Sequence, residues 1–316
     1  MVEGQAIKIL DMDFIEIPEI QKAPKRYLRF LFHGEIGTGK SSICGTFPNV
    51  FICDYEDKMV SLWRDGLLWP EGPIGYWIID GGDTWMDVEY FTYLFLFDKR
   101  DKVAEFLAEK SRPGKKLVEY KNRKEYIDVD WGPRKASQGE WGIGNRETFV
   151  DDSLTQMAKM VMTEAIQKHM DAPGKSETGG ASRIVGDVIH PAPAAYGTRD
   201  AMIERRMNLF RDKINEINYV LTCHLAMESV DELGGARRLL PAITGKALPP
   251  ILATYFDESY EMKKAVFGEG DKKISKFTID TEGTSARLTL RSSIGLKAGV
   301  RSHWSSIQEA IDRGKK

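Results

Sequence analysis

Cysteine is scarce. Cys44, Cys53 and Cys223 are the only three among 316 residues, widely spaced and with no CxxC pair, which excludes a disulfide framework. Each sits in or beside an apolar run, the setting of reduced, packed thiols in a cytosol-like compartment. No stretch approaches the ~18–20 apolar residues of a membrane span. The opening MVEGQAIKILDMDF has no basic segment leading into an apolar core, so a secretory signal is not expected. A cytoplasmic protein without membrane contact is the expectation. A large excess of one charge is also missing: the net charge is −2 and the pI near 6.3, so any nucleic-acid contact must come from local patches. His33, His169, His190, His224 and His303 are not paired with Cys or carboxylates at ligand spacing, and no G-x-S-x-G elbow occurs. Zinc sites and serine-hydrolase chemistry are therefore not supported.

Hydrophobic residues at 42% and charged residues at 29% are those of a globular chain. The length allows one large domain or two small ones. Strands are expected at 27–32 (YLRFLF), 50–54, 74–80, 148–150 and 218–223, with further strand-like segments at 258–263, 274–280 and 286–290. Helices are expected over 40–46, 83–97, 154–170, 199–215 and 304–311, and long loops over 171–198 and 225–246. The alternation of strand and helix predicts an α/β fold with a mostly parallel sheet. Residues 98–140 differ in kind. Between Lys99 and Lys135 there are 12 Lys or Arg against 7 Asp or Glu, in what reads as a basic insertion with a helix (103–110) and a hairpin (116–131). The division expected is a core over 1–265, containing that insertion, and a β-rich extension and tail over 266–316.

The string Gly34-Glu35-Ile36-Gly37-Thr38-Gly39-Lys40-Ser41 matches G-x-x-x-x-G-K-[ST] and lies between a strand and a helix. Glycines let the backbone bend round an anion, with successive N–H groups turned toward phosphates. Residues 34–42, including Ser42, are the candidate nucleotide cradle. Lys40 would bridge the terminal phosphates and Ser41 would offer a hydroxyl to Mg²⁺. An acid at a neighbouring strand end must complete the metal site. Asp151 and Asp152 both qualify, but side chains alternate along a strand, so only one can face the nucleotide. Asp152 is favoured, since Asp-Ser-Leu-Thr opens the next helix; capping of that helix is the alternative role. Glu56, placed by the βαβ reading beside the P-loop strand, is the candidate catalytic base, or else a solvated loop acid. His224 ends an apolar strand, as a γ-phosphate sensor or a structural histidine.

Taken in order, GEIGTGKSS, FICDYE, FVDDSLT and VLTCH resemble the RecA-like ATPase core, and most nearly the phage-encoded RecA-like proteins of single-strand DNA annealing and recombination. Phe47-Pro48, Tyr196-Gly197 and the later LPAITGK…FD string fit the same pattern. The resemblance implies a RecA-like P-loop fold, ATP and Mg²⁺ as cofactors, Lys40, Glu56 and His224 as the catalytic set, and Ser41 with Asp152 at the metal. It implies self-association into a ring or filament, with a neighbour's Lys246 or Arg237 completing the site unless these are plain loop charges. Single-stranded DNA is the implied partner, with a single-strand DNA-binding protein as a second. Lys175, Arg183, Arg237 and Arg238 lie in the loops that would face DNA. The insertion adds Arg112, Lys115, Lys116, Lys121, Arg123, Lys124, Arg134 and Lys135 among Tyr120, Tyr126 and Trp131, a pattern suited to phosphates and unpaired bases unless the hairpin is merely a solvated one. Asp151 stands where the family is usually apolar. A nucleotide-gated assembly protein with little hydrolysis is the competing reading, and a small-molecule kinase a weaker one, because Arg205-Arg206 lies on a predicted helix with no lid.

Overall fold

The computed structural model describes residues 27–58, 74–111, 114–120, 123–129, 135–139, 142–170, 183–185, 188–212, 217–229, 237–243, 247–267, 274–282 and 290–314. A mixed sheet runs through the protein. Its parallel part is ordered β12(Glu258–Phe267), β1(Arg29–Gly34), β10(Asn218–Ser229), β7(Thr148–Asp152), β2(Val50–Asp54) and β3(Gly75–Ile78). The mostly parallel α/β architecture expected for a RecA-like core is thus present. Every residue of β1, β2, β3 and β7 is buried. Strands covered on both faces need continuous apolar runs, which RFLF and VFIC supply.

Helices close both faces. On one side α2(Trp85–Leu96), α3(Arg100–Lys110), α4(Leu154–Met170) and α5(Pro193–Asp212) cover Phe51, Phe149 and Tyr219. Phe149 packs within 5.0 Å of the Phe95 and Phe210 rings, and Phe210 stacks on Tyr219 at 3.9 Å. A capping box fixes the start of α2: Thr84 Oγ1 accepts from the Asp87 amide at 3.2 Å, and the Asp87 carboxylate accepts from the Thr84 amide at 2.8 Å. On the other side α1(Lys40–Cys44) and α6(Trp304–Arg313) cover Phe30 and Phe32, with Trp304 against Phe47 at 4.6 Å.

Several expectations need correction. β2 is not beside the P-loop strand; β10 and β7 stand between them. The strand at 218 does not stop at Cys223. It continues to Ser229 and pairs with β11(Arg237–Pro241), so the stretch read as a polar loop is partly a hairpin. Within 171–198, β8(Arg183–Val185) pairs with β9(Val188–His190), and α5 begins at Pro193, since proline is tolerated in the first helical turn. The strand expected at 286–290 lies almost wholly outside the described residues.

The 98–140 segment splits. β4(Gly114–Tyr120) and β5(Arg123–Val129) form a two-stranded sheet of their own, as the hairpin expectation has it. Val103 and Leu107 of α3, however, enter the core, and β6(Ala136–Ser137) pairs with β3. Beyond residue 266, β13(Ile274–Asp280), β14(Arg291–Ser292) and β15(Val300–Arg301) extend the central sheet past β12.

Phe149→Ala would empty the centre of the aromatic layer. A loss of about 3–5 kcal/mol is expected, read as a lower urea midpoint at unchanged slope.

Candidate nucleotide site

Parallel strands bring their C-terminal ends to one rim of the sheet, where ligands of such folds bind. The register places Gly34 opposite His224 and Asp54 opposite Asp152. The P-loop leaves β1 at that rim and turns into α1. Gly37 and Gly39 hold left-handed φ values of 77° and 87°. At Gly34 a Cβ would stand 2.7 Å from the Met262 carbonyl oxygen, so glycine is needed for close approach to β12. Thr38 donates its hydroxyl to the Glu35 carbonyl at 2.8 Å and braces the turn.

Lys40 lies at the centre. Its ammonium donates to the carbonyls of Gly34 at 2.9 Å and Glu35 at 2.8 Å, and lies 3.4 Å from His224 Nδ1. Burial pulls the Lys40 ammonium below its ordinary pKa, against nearby Asp152 and Glu56. On its other edge His224 Nε2 lies 3.1 Å from Glu56 Oε1. A neutral ring with its proton on Nε2 satisfies both contacts. The Glu56 carboxylate also accepts from Ser153 and Lys58. Burial would raise the Glu56 pKa, but the donors His224, Lys58 and Ser153 outweigh it and hold the carboxyl well below the usual carboxylate range.

The two adjacent acids separate as strand alternation requires. Asp151 points into the core, to Arg206. Asp152 points to the P-loop, where Thr222 donates to its Oδ1. Burial raises the Asp152 pKa, opposed by Ser41 and Thr222. Its Oδ2 is buried and meets no donor at hydrogen-bond geometry. A hydroxyl beside a carboxylate with a bare buried oxygen is the hard donor set that Mg²⁺ prefers, so these residues fit that ion.

One cleft of about 520 Å³ is lined by Ile36, Gly37, Gly39, Lys40, Ser41 and Ser42 together with Glu56, Asp152 and His224. Gly34, Glu35 and Thr38 shape it from behind. Four further groups belong to the site that sequence reasoning did not assign. Ser153 and Lys58 bind Glu56, Thr222 binds Asp152, and Phe277 of β13 covers Gly39, whose Cβ would meet its ring at 3.0 Å. Ser153 and Thr222 sit in the DDSLT and VLTCH strings and were within reach. Phe277 was not, because nothing local ties β13 to the P-loop.

Of the basic residues considered for partners, Lys246, Lys121, Arg112 and Arg134, like Lys175, fall outside the described residues. Arg237 pairs with Ser229 at the end of its hairpin away from His224. Lys135 is a correction. It is 8% exposed and ion-paired with Asp80 at 3.2 Å and Asp83 at 2.9 Å, so it is not presented to a phosphate backbone. In the β4–β5 hairpin the register sets Lys115 opposite Asp128 and Glu119 opposite Lys124.

No protein-family model and no curated protein matches the chain. Among solved structures, a KaiC-like protein of Pyrococcus horikoshii aligns over 85% of this chain and 83% of its own, at 12% identity and a TM-score of 0.36. The flagellar accessory protein FlaH of Methanocaldococcus jannaschii aligns over 87% and 83%, at 11% identity and a TM-score of 0.33. Both alignments are long and loose, so the character of the site rests on its own residues. No helix among the described residues is long and apolar enough to cross a membrane.

Burial disfavours the charge on Asp152, whose Oδ2 lacks a donor, so a neutral acceptor should be better tolerated there. Asp152→Asn is expected to leave the melting temperature of the ligand-free protein equal or higher, while abolishing the Mg²⁺ dependence of ATP affinity. Thermal melts and titrations with and without Mg²⁺ test both halves.

Proposed function

We propose that the chain is a RecA-like, Mg·ATP-dependent ATPase that acts on single-stranded DNA in recombination or annealing, with the ATP site at an interface between subunits. The observation that carries the nucleotide part is the single cleft in which Lys40, Ser41, Asp152, Glu56 and His224 converge. Lys40 exchanges its two carbonyl partners for phosphate oxygens. Ser41 and Asp152 hold the metal or its waters, and bound Mg²⁺ would neutralise charge on the transferring phosphoryl group. Glu56, held in its charged form by His224, Lys58 and Ser153, is the acceptor that orients the attacking water and can take its proton. The DNA and interface parts are supported by the order of motifs shared with the annealing and recombination proteins, with Lys246 or Arg237 of a neighbour as the candidate trans cation.

One observation favours a second reading, a nucleotide-gated assembly protein with little hydrolysis. The Glu56 carboxylate is already engaged by Ser153, His224 and Lys58, and a water must compete with them.

Lys40→Ala removes a charge-assisted contact of about 1.5–3 kcal/mol, so ATP affinity should fall about ten- to a hundredfold; an unchanged affinity removes the P-loop assignment. Glu56→Gln should keep ATP binding and lower turnover about 10²-fold or more. Wild-type phosphate release should rise when single-stranded DNA is added. Turnover without that response argues against DNA as the partner, and binding without any turnover favours the assembly protein.

A further inference from the structure

Asp151, the acid turned away from the cleft, is fully buried and held by four bonds. Arg206 of α5 meets it as a fork, Nε to Oδ2 and Nη2 to Oδ1, both at 2.7 Å. Two hydroxyls complete it, Tyr219 on Oδ2 at 2.7 Å and Tyr55 on Oδ1 at 3.0 Å. The remaining Arg206 nitrogen, Nη1, donates to Thr92 of α2 at 2.8 Å, and the guanidinium lies 5.4–5.7 Å from the Trp85, Phe149 and Phe210 rings. A buried ion pair is tolerated when its lone pairs and protons are satisfied in good geometry. This one meets that condition, and five elements of the fold fix it in place.

Of the groups bound to Asp151, only Tyr55 stands next in the chain to a residue of the nucleotide cleft, Glu56. The turn that carries both is sewn to its surroundings at three further points. The Tyr55 amide donates to the Asp152 carbonyl at 2.7 Å, and the amides of Glu56 and Lys58 donate to the Asp54 carboxylate at 2.9 and 2.8 Å. The backbone bonds hold the height of the turn. The Tyr55 side chain, reaching back into the core while Glu56 reaches forward, sets its rotation.

We propose that Tyr55 is a positioning residue for Glu56: its hydroxyl, fastened to the Asp151–Arg206 pair, holds the turn after β2 so that the glutamate faces Lys40 and His224 across the cleft. This rests on Glu56 being the water-orienting group of the proposed ATPase. It also accounts for an acid at position 151, where the resembling family is usually apolar.

Tyr219 supplies the control. It donates an equivalent hydroxyl to the same carboxylate from β10, with no cleft residue attached to it in sequence. Tyr55→Phe and Tyr219→Phe each remove one bond from Asp151 and leave three. If the hydroxyls matter only for stability, the two variants behave alike. As a positioning residue, Tyr55→Phe alone lowers kcat for ATP hydrolysis, by about ten- to a hundredfold, with KM and Mg·ATP affinity within about twofold of wild type. Its activity should also fall away at a higher acidic pH than that of Tyr219→Phe, because a loosened Glu56 loses donors that favour its charged form. Equal kcat and equal pH profiles for the two variants, with wild type active, overturn the positioning role and leave the ATPase reading intact. A wild type without turnover overturns both.

Discussion

The register of the parallel sheet is the constraint on which the site depends. Residues far apart in the chain meet because strands β1, β10, β7 and β2 end level with one another. Gly34 lies opposite His224, and Asp54 opposite Asp152. A slip of one residue in β7 would exchange the two acids, turning Asp152 into the aromatic layer and Asp151 toward Lys40. The core forbids that slip, since Phe149 would leave its place among Phe51, Phe95 and Phe210. Packing of the apolar face therefore dictates which carboxylate can serve a cation.

The two acids illustrate opposite solutions to burying a charge. Asp151 has a permanent cation and two hydroxyls, so its cost is met within the folded chain. Asp152 has one hydroxyl on Oδ1, Ser41 beside it, and a second oxygen with no donor at bonding geometry. A buried acceptor left without a donor costs about 1–3 kcal/mol. A buried acceptor of this kind suits a ligand of positive charge. Burial disfavours the charged form of Asp152 even though Lys40 lies nearby.

Much of this was legible in the sequence because it is local. The P-loop glycines, the apolar runs of β1 and β2 and the Asp pair at the end of β7 announce themselves within a few residues. Strand alternation alone settled that Asp151 and Asp152 must diverge. What was not legible is pairing over distance. Nothing near Val50 says that β10 and β7 lie between β2 and β1. The Arg205-Arg206 pair could be placed on a helix, but not divided: Arg205 is exposed, whereas Arg206 is 3% exposed and held against Asp151. Pro193 and its small neighbours read as loop, yet proline starts a helix as readily as it ends one. The β10 extension was hidden because Met227 is exposed and its partner strand β11 begins beyond Gly234-Gly235.

A relay of three side chains connects the parts of the cleft. Lys40 leans on His224 through Nδ1, and His224 holds Glu56 through Nε2. The ammonium also donates to two carbonyls of its own loop. On the proposed function, a bound phosphate would draw Lys40 away from those carbonyls and weaken the contact at Nδ1. His224 lies on β10 immediately before the portion paired with β11. Lys40, His224 and Glu56 are thus joined in series, by contacts of 3.4 and 3.1 Å, at the rim where the parallel strands end.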